Sequence, residues 1–147
     1  MNISESEITT KSPEQTRALA EKFALENIGA GCIIALKGGL GAGKTCFAQG
    51  MAWGLGVDRD TYLPSPTFAI IKEYRGRVSI FHIDLYRLES AAEAFDIGIE
   101  EYLSEGDVVI IEWPEKIEDL LAGRKVFTVD IKAVSSDERR IRIHTGN

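Results

Sequence analysis

The sequence is short of several features that mark particular protein classes. Among its 147 residues only Cys32 and Cys46 are cysteines, and because neither lies in a CxxC or Cys/His pattern, a disulfide scaffold is excluded. No apolar run approaches the ~20 residues of a membrane span. The acidic start MNISESEITTKSPE lacks the apolar stretch of a secretory signal. We therefore expect a cytoplasmic protein with two free thiols and no membrane segment.

Basic residues are also too few to outweigh the acidic ones. Seventeen Lys and Arg against 23 Asp and Glu give a net charge of -6, which opposes non-specific binding to a phosphate polyanion. If nucleic acid is involved, we expect a partner to hold it. The length suits one domain, at ~100–200 residues per domain. With 44% hydrophobic and 27% charged residues, residues 1–147 are expected to form a single globular domain.

What the sequence does contain is an alternation of short apolar strands and helices. Ser12-Pro13-Glu14-Gln15 has the spacing of a capping box and predicts a helix that ends by Gly29. The other predicted elements are, in chain order, a buried strand at CIIAL, a helix from Lys44 to Leu55, a hairpin of FAIIKEY and VSIFHID, a helix from Ser90 to Tyr102, a buried strand at VVIIEW, a short helix at KIEDLLAG, and two half-exposed antiparallel strands at a sheet edge, VFTVDIKAV and RRIRIH. These elements predict a three-layer α/β fold with a mixed parallel and antiparallel sheet.

The most specific motif is a glycine-rich loop between a predicted strand and a predicted helix. GGLGAGKT, from Gly38 to Thr45, is a full G-x-x-x-x-G-K-[ST] set and predicts a P-loop NTPase-like fold. Its N–H groups and the following helix N-terminus would cradle a polyphosphate. Lys44 is expected to neutralise the β and γ phosphates of a bound nucleotide, and Thr45 to ligate Mg²⁺. The expected nucleotide contacts are Gly39, Leu40, Gly41, Ala42, Gly43, Lys44, Thr45, Cys46 and Trp113.

Two acids close apolar strands, at the end of the sheet where α/β folds bind their ligands. Asp84 ends VSIFHID and Glu112 ends VVIIEW. One would contact the metal or its waters while the other orients the attacking water, and the sequence leaves open which does which. With Lys44 they form the predicted catalytic set. His82, on the same strand face as Asp84, either orients that acid or fills the core.

Three further residues near these motifs have open roles. Thr67, in Ser65-Pro66-Thr67-Phe68, is either a switch-type ligand of the metal or γ-phosphate or part of a plain turn. The candidate metal ligands are Thr45, Glu112 and Thr67. Trp113 shapes the nucleotide pocket or fills the core. No arginine is evident in cis as the second cation of a fast phosphoryl-transfer site, because on an extended run Arg87 lies about 10 Å past Asp84 and on the opposite face.

Taken in order, GGLGAGKT, SPTF, HIDLYRL, GIEEYL and IEWPEKI resemble the bacterial TsaE (YjeE) family of small P-loop ATPases, over about residues 12–116. The resemblance implies an ATPase that uses ATP and Mg²⁺, is weak alone and is activated by the TsaB–TsaD dimer. It implies a requirement, together with TsaC, for making threonylcarbamoyladenosine in tRNA. The family's functional positions fall on Lys44, Thr45, Thr67, Asp84, Glu112 and Trp113. The C-terminal strands carry no matching motif.

Other interpretations of the loop motif remain to be weighed. A small-molecule kinase would need an acceptor pocket and an arginine-bearing lid, and the sequence has no long insertion to supply one. A GTPase would need an N-K-x-D segment, which does not occur. An ATP-gated assembly factor, in which the nucleotide controls docking, is compatible with an ATPase. ATP turnover with and without TsaB and TsaD distinguishes these interpretations.

Overall fold

The computed structural model describes residues 5–61, 71–105 and 107–146. The strands in these ranges are β1 (Glu5–Thr10), β2 (Cys32–Lys37), β3 (Ile71–Arg75), β4 (Ser79–Asp84), β5 (Val108–Glu112), β6 (Val126–Ala133) and β7 (Arg139–Gly146). The helices are α1 (Pro13–Asn27), α2 (Lys44–Gly54), α3 (Ala91–Asp96), α4 (Ile99–Glu105) and α5 (Glu118–Leu121), with a 3₁₀ turn at Pro114–Ile117. The predicted α/β class is confirmed. No helix in the described ranges is long and apolar enough to cross a membrane.

The strands form one mixed sheet, as predicted. Its order is β1-β7-β6-β2-β5-β4-β3. The four central strands β6, β2, β5 and β4 pair in parallel, and β3, β7 and β1 are added antiparallel. Because parallel strands end at the same edge of a sheet, the segments that follow β2, β4, β5 and β6 meet there. This edge is the place where ligands bind in open α/β sheets.

Helices cover both faces of the central sheet, which gives the three layers predicted. Successive residues of β2 point to opposite faces, so Ile34 and Leu36 pack with α1 and α2, whereas Ile33 and Ala35 pack with α3, α4 and the 3₁₀ turn. The helices α1 and α2 touch closely at Gly50. A Cβ atom there would lie 2.3 Å from the carbonyl oxygen of Arg17, so a larger residue would force the two helices apart.

Three details differ from the sequence-based expectations. The polar segment Glu5–Thr10 forms β1, which was not predicted, and it pairs with β7. The two C-terminal strands therefore lie inside the sheet and not at its edge. The predicted helix from Ser90 to Tyr102 is two helices, because the chain turns at Gly98, where φ is +82°. Glycine adopts this left-handed conformation without the steric cost that other residues have.

Candidate functional site

The loop between β2 and α2 has the conformation of an anion-binding turn. Gly43 precedes the first residue of α2 with φ +110° and ψ +16°, a backbone geometry that only glycine adopts easily. The Ala42 N–H donates across the loop to the Gly39 carbonyl, 3.2 Å away. The helix N-terminus that follows carries a partial positive charge. The loop therefore presents backbone donors and a positive end of a helix to the same space.

A cavity of about 440 Å³ lies over this loop and gathers most of the predicted site residues. Its lining comprises Leu40, Gly41, Ala42, Gly43, Lys44, Thr45, Cys46, Asp84, Tyr86, Glu112, Trp113 and Arg139. Gly39 lies in the loop but is not part of this lining. Thr67, the remaining predicted metal ligand, lies outside the described residues. The two cysteines are free, as expected, and the Cys46 thiol accepts a hydrogen bond from Arg17.

Lys44 is the buried cation of this cavity. Its side chain begins at the first residue of α2, and the whole residue is only 5% exposed. Nζ donates to the Gly38 carbonyl at 2.8 Å and lies 3.7 Å from the centre of the Trp113 ring. Burial lowers the pKa of Lys44, and the nearby carboxylates of Glu112 and Asp84 oppose that shift. An anionic ligand would stabilise the charged ammonium, which burial away from water disfavours.

Trp113 owes its position over Lys44 to a strained backbone. Within the described residues it is the one non-glycine with positive φ, at φ +62° and ψ +50°. Such a conformation costs of order 1–3 kcal/mol and tends to occur at functional sites. The ring also packs on Tyr86, with centroids 5.1 Å apart. The sequence left open whether Trp113 shapes the pocket or fills the core, and in the structure its ring forms a wall of the cavity.

Asp84 and Glu112 come together because β4 and β5 are parallel neighbours in matching register. The two residues are direct partners across the strand pair, and they are 5% and 3% exposed. An Asp84 carboxylate oxygen accepts from the Tyr86 N–H at 2.9 Å. Both carboxylates line the cavity beside Lys44. The structure thus brings the three predicted catalytic residues into one pocket.

His82 holds Glu112, whereas the sequence analysis considered it as a partner of Asp84. Its Nε2 lies 2.7 Å from Oε2 of Glu112, and both residues are almost fully buried. The imidazole reaches across to the neighbouring strand, while Asp84 is turned toward the backbone N–H of Tyr86. This contact fixes the orientation of the Glu112 carboxylate.

Arg139 is a site residue that the sequence analysis missed. It begins β7 and lines the same cavity as the two acids. Its Nε donates to the Ala42 carbonyl at 2.8 Å and its Nη2 to the Gly41 carbonyl at 3.3 Å. The two contacts join residues 97 and 98 positions apart, so no local pattern could have indicated them. The structure therefore places at the cavity an arginine that the sequence analysis did not identify, and its donors are directed at backbone carbonyls.

Arg87, which the sequence analysis treated as part of an extended run, lies in a turn instead. The Leu88 N–H donates to the Leu85 carbonyl at 3.0 Å, so the distance deduced from an extended chain does not apply. Arg87 is exposed and is not part of the cavity lining.

The chain is similar to proteins of one family along most of its length. The family model described as "Threonylcarbamoyl adenosine biosynthesis protein TsaE" matches residues 10–141. The tRNA threonylcarbamoyladenosine biosynthesis protein TsaE of Bacillus subtilis (strain 168) is 42% identical over 133 residues, 90% of this chain and 80% of the relative. Its counterpart in Treponema pallidum (strain Nichols) is 38% identical over 113 residues, 77% and 82% of the two chains. The crystal structure of Bacillus subtilis YdiB matches with a TM-score of 0.78 and 33% identity, covering 99% of this chain and 88% of that one.

Proposed function

The chain belongs to the TsaE family of threonylcarbamoyl adenosine biosynthesis proteins, and from that premise we propose that it binds and hydrolyses Mg·ATP in support of tRNA threonylcarbamoyladenosine modification. The observation that carries the proposal is the placement of Lys44, Asp84 and Glu112 around one cavity over the glycine-rich loop. A cation and two acids at such a loop are the parts of a phosphoryl-transfer site.

The described residues suit a polyphosphate ligand. The Lys44 ammonium is buried, and its contacts are a carbonyl oxygen and an aromatic ring, so a phosphate can replace the weaker of these interactions. The cavity volume of about 440 Å³ is in the range of small-molecule sites. Lys44 would hold the β and γ phosphates, and the loop N–H groups would surround them. Selectivity for adenine rests on the family resemblance.

Thr45 and the two acids suit a Mg²⁺ ion held partly by the nucleotide. Within the described ranges no group of three or more His, Cys, Asp or Glu is arranged to hold a metal. Mg²⁺ is usually bound through one or two protein ligands together with substrate phosphates, and Thr45 and Glu112, which both line the cavity, would be these ligands. When bound, the ion would neutralise charge on the phosphates. Thr67 stays a predicted third ligand.

Asp84 and Glu112 would share the remaining tasks. One carboxylate would anchor the metal or its waters, and the other would accept a hydrogen bond from the attacking water and align it with the γ-phosphate. Glu112 is held in place by His82, and Asp84 by the backbone of Tyr86. Both acids therefore keep a fixed orientation in the absence of ligand, which reduces the reorganisation needed for reaction.

The proposal also includes a basal rate of ATP hydrolysis that is weak and that rises when the TsaB–TsaD complex binds. TsaC would be linked to the protein through the same pathway, and tRNA would be reached only indirectly. The guanidinium of Arg139 is occupied by loop carbonyls, so Lys44 is left as the cation facing the acids. At the mouth of the cavity Leu40 and Tyr86 are 72% and 42% exposed. A partner that covers these side chains would exclude water and complete the site.

The test is to measure ATP binding by calorimetry and phosphate release while TsaB–TsaD is titrated into the protein at saturating ATP. Release should be slow alone and rise with the partner. The Lys44→Ala variant should bind ATP at least about tenfold more weakly, equal to about 1.4 kcal/mol, and should remove the stimulated release. The matched control is Lys37→Ala, because Lys37 ends β2 but pairs with Glu118 away from this cavity.

Three outcomes would contradict the proposal. Unchanged ATP binding in folded Lys44→Ala protein would show that this loop is not the nucleotide site. A rate of phosphate release that stays flat over the titration would show that TsaB–TsaD does not activate the protein. Phosphate transfer that depends on an added small-molecule acceptor would favour a kinase.

A further inference from the structure

We propose that Arg139 is a positioning residue that holds the glycine-rich loop in its phosphate-binding conformation before any nucleotide arrives. This inference rests on the proposed binding of a nucleotide at that loop and adds a residue from the C-terminal part of the chain. The loop is built from residues 38–43, and four of these six are glycine. Glycine has more backbone freedom than any other residue, so such a loop has much conformational entropy to lose when it binds a ligand.

The Arg139 guanidinium ties the loop to the turn between β6 and β7. Nε and Nη2 donate to the carbonyls of Ala42 and Gly41. On its other side Nη1 donates to carbonyls of the turn, at 2.8 Å to Ser135 and 3.0 Å to Glu138. Because the turn is closed by the pairing of β6 and β7, it gives the guanidinium a fixed support. The loop is thereby attached to the sheet at a second point besides β2 and α2.

The two loop contacts also set the direction of the N–H groups. In a trans peptide the carbonyl of one residue and the N–H of the next point to opposite sides. The Gly41 carbonyl faces Arg139, and the Ala42 N–H accordingly points the other way, where it reaches the Gly39 carbonyl across the loop. The Ala42 carbonyl also faces Arg139. The Gly43 N–H is therefore directed away from the guanidinium, in position to donate to a phosphate.

The hydrogen bonds of Arg139 leave its positive charge uncompensated. All of its acceptors are neutral backbone carbonyls, and no carboxylate among the described residues forms an ion pair with it. An arginine that served only to brace a turn would not need to line the cavity. Arg139 does line it, and its charge favours an anion there. Position and charge thus support the same role in binding polyphosphates.

The test compares Arg139→Gln with Arg140→Gln, its neighbour on the same strand. Arg140 is exposed and pairs with Glu7, so it serves as a control for loss of one arginine. Calorimetry with Mg²⁺ and ATP, ADP or inorganic tripolyphosphate gives three dissociation constants. We expect Arg139→Gln to weaken all three by a similar factor of about ten, since hydrogen bonds from a charged donor are lost. Arg140→Gln should bind like the wild type.

The kinetics separate a positioning role from a merely structural one. In the presence of TsaB–TsaD, Arg139→Gln should raise KM for ATP by about the same tenfold factor while kcat at saturation stays unchanged. The conservative Arg139→Lys keeps the charge but lacks the planar fork of donors, so it should recover part of the affinity. If Arg139→Gln does not fold, Arg139→Lys and hydrogen exchange of the loop amides decide the question, with faster exchange expected at Ala42, whose N–H donates to the Gly39 carbonyl.

Each other outcome overturns a defined statement. If the wild type binds no polyphosphate, the proposed function fails. If the wild type binds ATP and folded Arg139→Gln binds it equally well, only this inference fails. If the variant loses affinity for ATP but not for tripolyphosphate, Arg139 contacts the nucleoside and the loop-positioning role is wrong. Unchanged exchange and affinity in Arg139→Lys would likewise remove that role.

Discussion

The glycine-rich loop is flanked by two groups of side chains that reach it in different ways. The acidic flank consists of His82, Asp84 and Glu112, at the ends of the parallel strands β4 and β5. The arginine flank consists of Arg139 and the turn of residues 134–138, at the junction of β6 and β7. The first flank presents charged side-chain oxygens to the cavity, whereas the second uses a guanidinium to hold backbone carbonyls.

This difference indicates a division of labour around the loop. Carboxylates that are buried and fixed by His82 and the Tyr86 N–H can accept a proton or hold a metal. A guanidinium whose donors are directed at Gly41 and Ala42 stabilises a backbone conformation. We therefore expect changes on the acidic flank to lower kcat and changes on the arginine flank to weaken binding. The following predictions are ordered from the largest expected effect to the smallest.

The largest effect is expected from removing charge on the acidic flank. Asp84→Asn and Glu112→Gln keep the side-chain shape, and each should lower partner-stimulated ATP turnover by about 100-fold or more, the scale of general-base catalysis. Phosphate release measures this, and a Mg²⁺ titration identifies the metal anchor as the variant that needs more metal. Glu118→Gln is the control, because Glu118 is exposed and pairs with Lys37 away from the cavity. Wild-type turnover in both variants would mean that neither acid serves the chemistry.

A smaller effect on the same flank is expected at His82. His82→Leu removes the hydrogen bond to Glu112 Oε2 without opening a large cavity, and it should lower kcat by about 10–100-fold, as for other residues that orient a functional ligand. His82→Gln can restore a donor at the Nε2 position, so it should recover part of the rate. KM for ATP should stay unchanged in both variants. Equal rates for the Leu and Gln variants would show that the hydrogen bond from His82 to Glu112 does not contribute to catalysis.

The smallest effect is expected for coupling between the flanks. In the described residues Glu112 and Arg139 share no hydrogen-bond partner. The free-energy changes of Glu112→Gln and Arg139→Gln in kcat/KM should therefore add to within about 0.5 kcal/mol in the double variant. Steady-state kinetics of the four proteins in the cycle provide the measurement. A coupling well above this value would mean that the two flanks act as one unit.

The acidic flank could be predicted further than the arginine flank because its residues stand at the ends of recognisable strands. VSIFHID and VVIIEW are short apolar runs that each close in an acid, and parallel strands place such acids at one edge. The pairing of Asp84 with Glu112 depends on the register of β4 and β5. The contact of His82 with Glu112 was not among the alternatives considered from the sequence for the same reason, since it crosses to the neighbouring strand.

Elements with weak periodicity were predicted least well. The segment that forms β1 is polar and acidic, and its strand structure depends on pairing with β7, where Ile8 lies opposite Ile141. Because β1 could not be foreseen, β7 was placed at the sheet edge. The segment from Ser90 to Tyr102 is helical as predicted, but the turn at Gly98 divides it into two helices. Local helix propensity does not determine where a chain must change direction to cover a sheet.

By itself the sequence determined the α/β class, the glycine-rich loop with Lys44 and Thr45, and the two strand-end acids, because each follows from residues that are neighbours in the chain. Only the tertiary structure decided that His82 holds Glu112, that the Trp113 backbone turns the indole over Lys44, and that Arg139 reaches the loop. These contacts join separate strands, and their geometry depends on sheet order and register. Hydrogen bonds across nearly a hundred residues exist only after the sheet has brought both ends together.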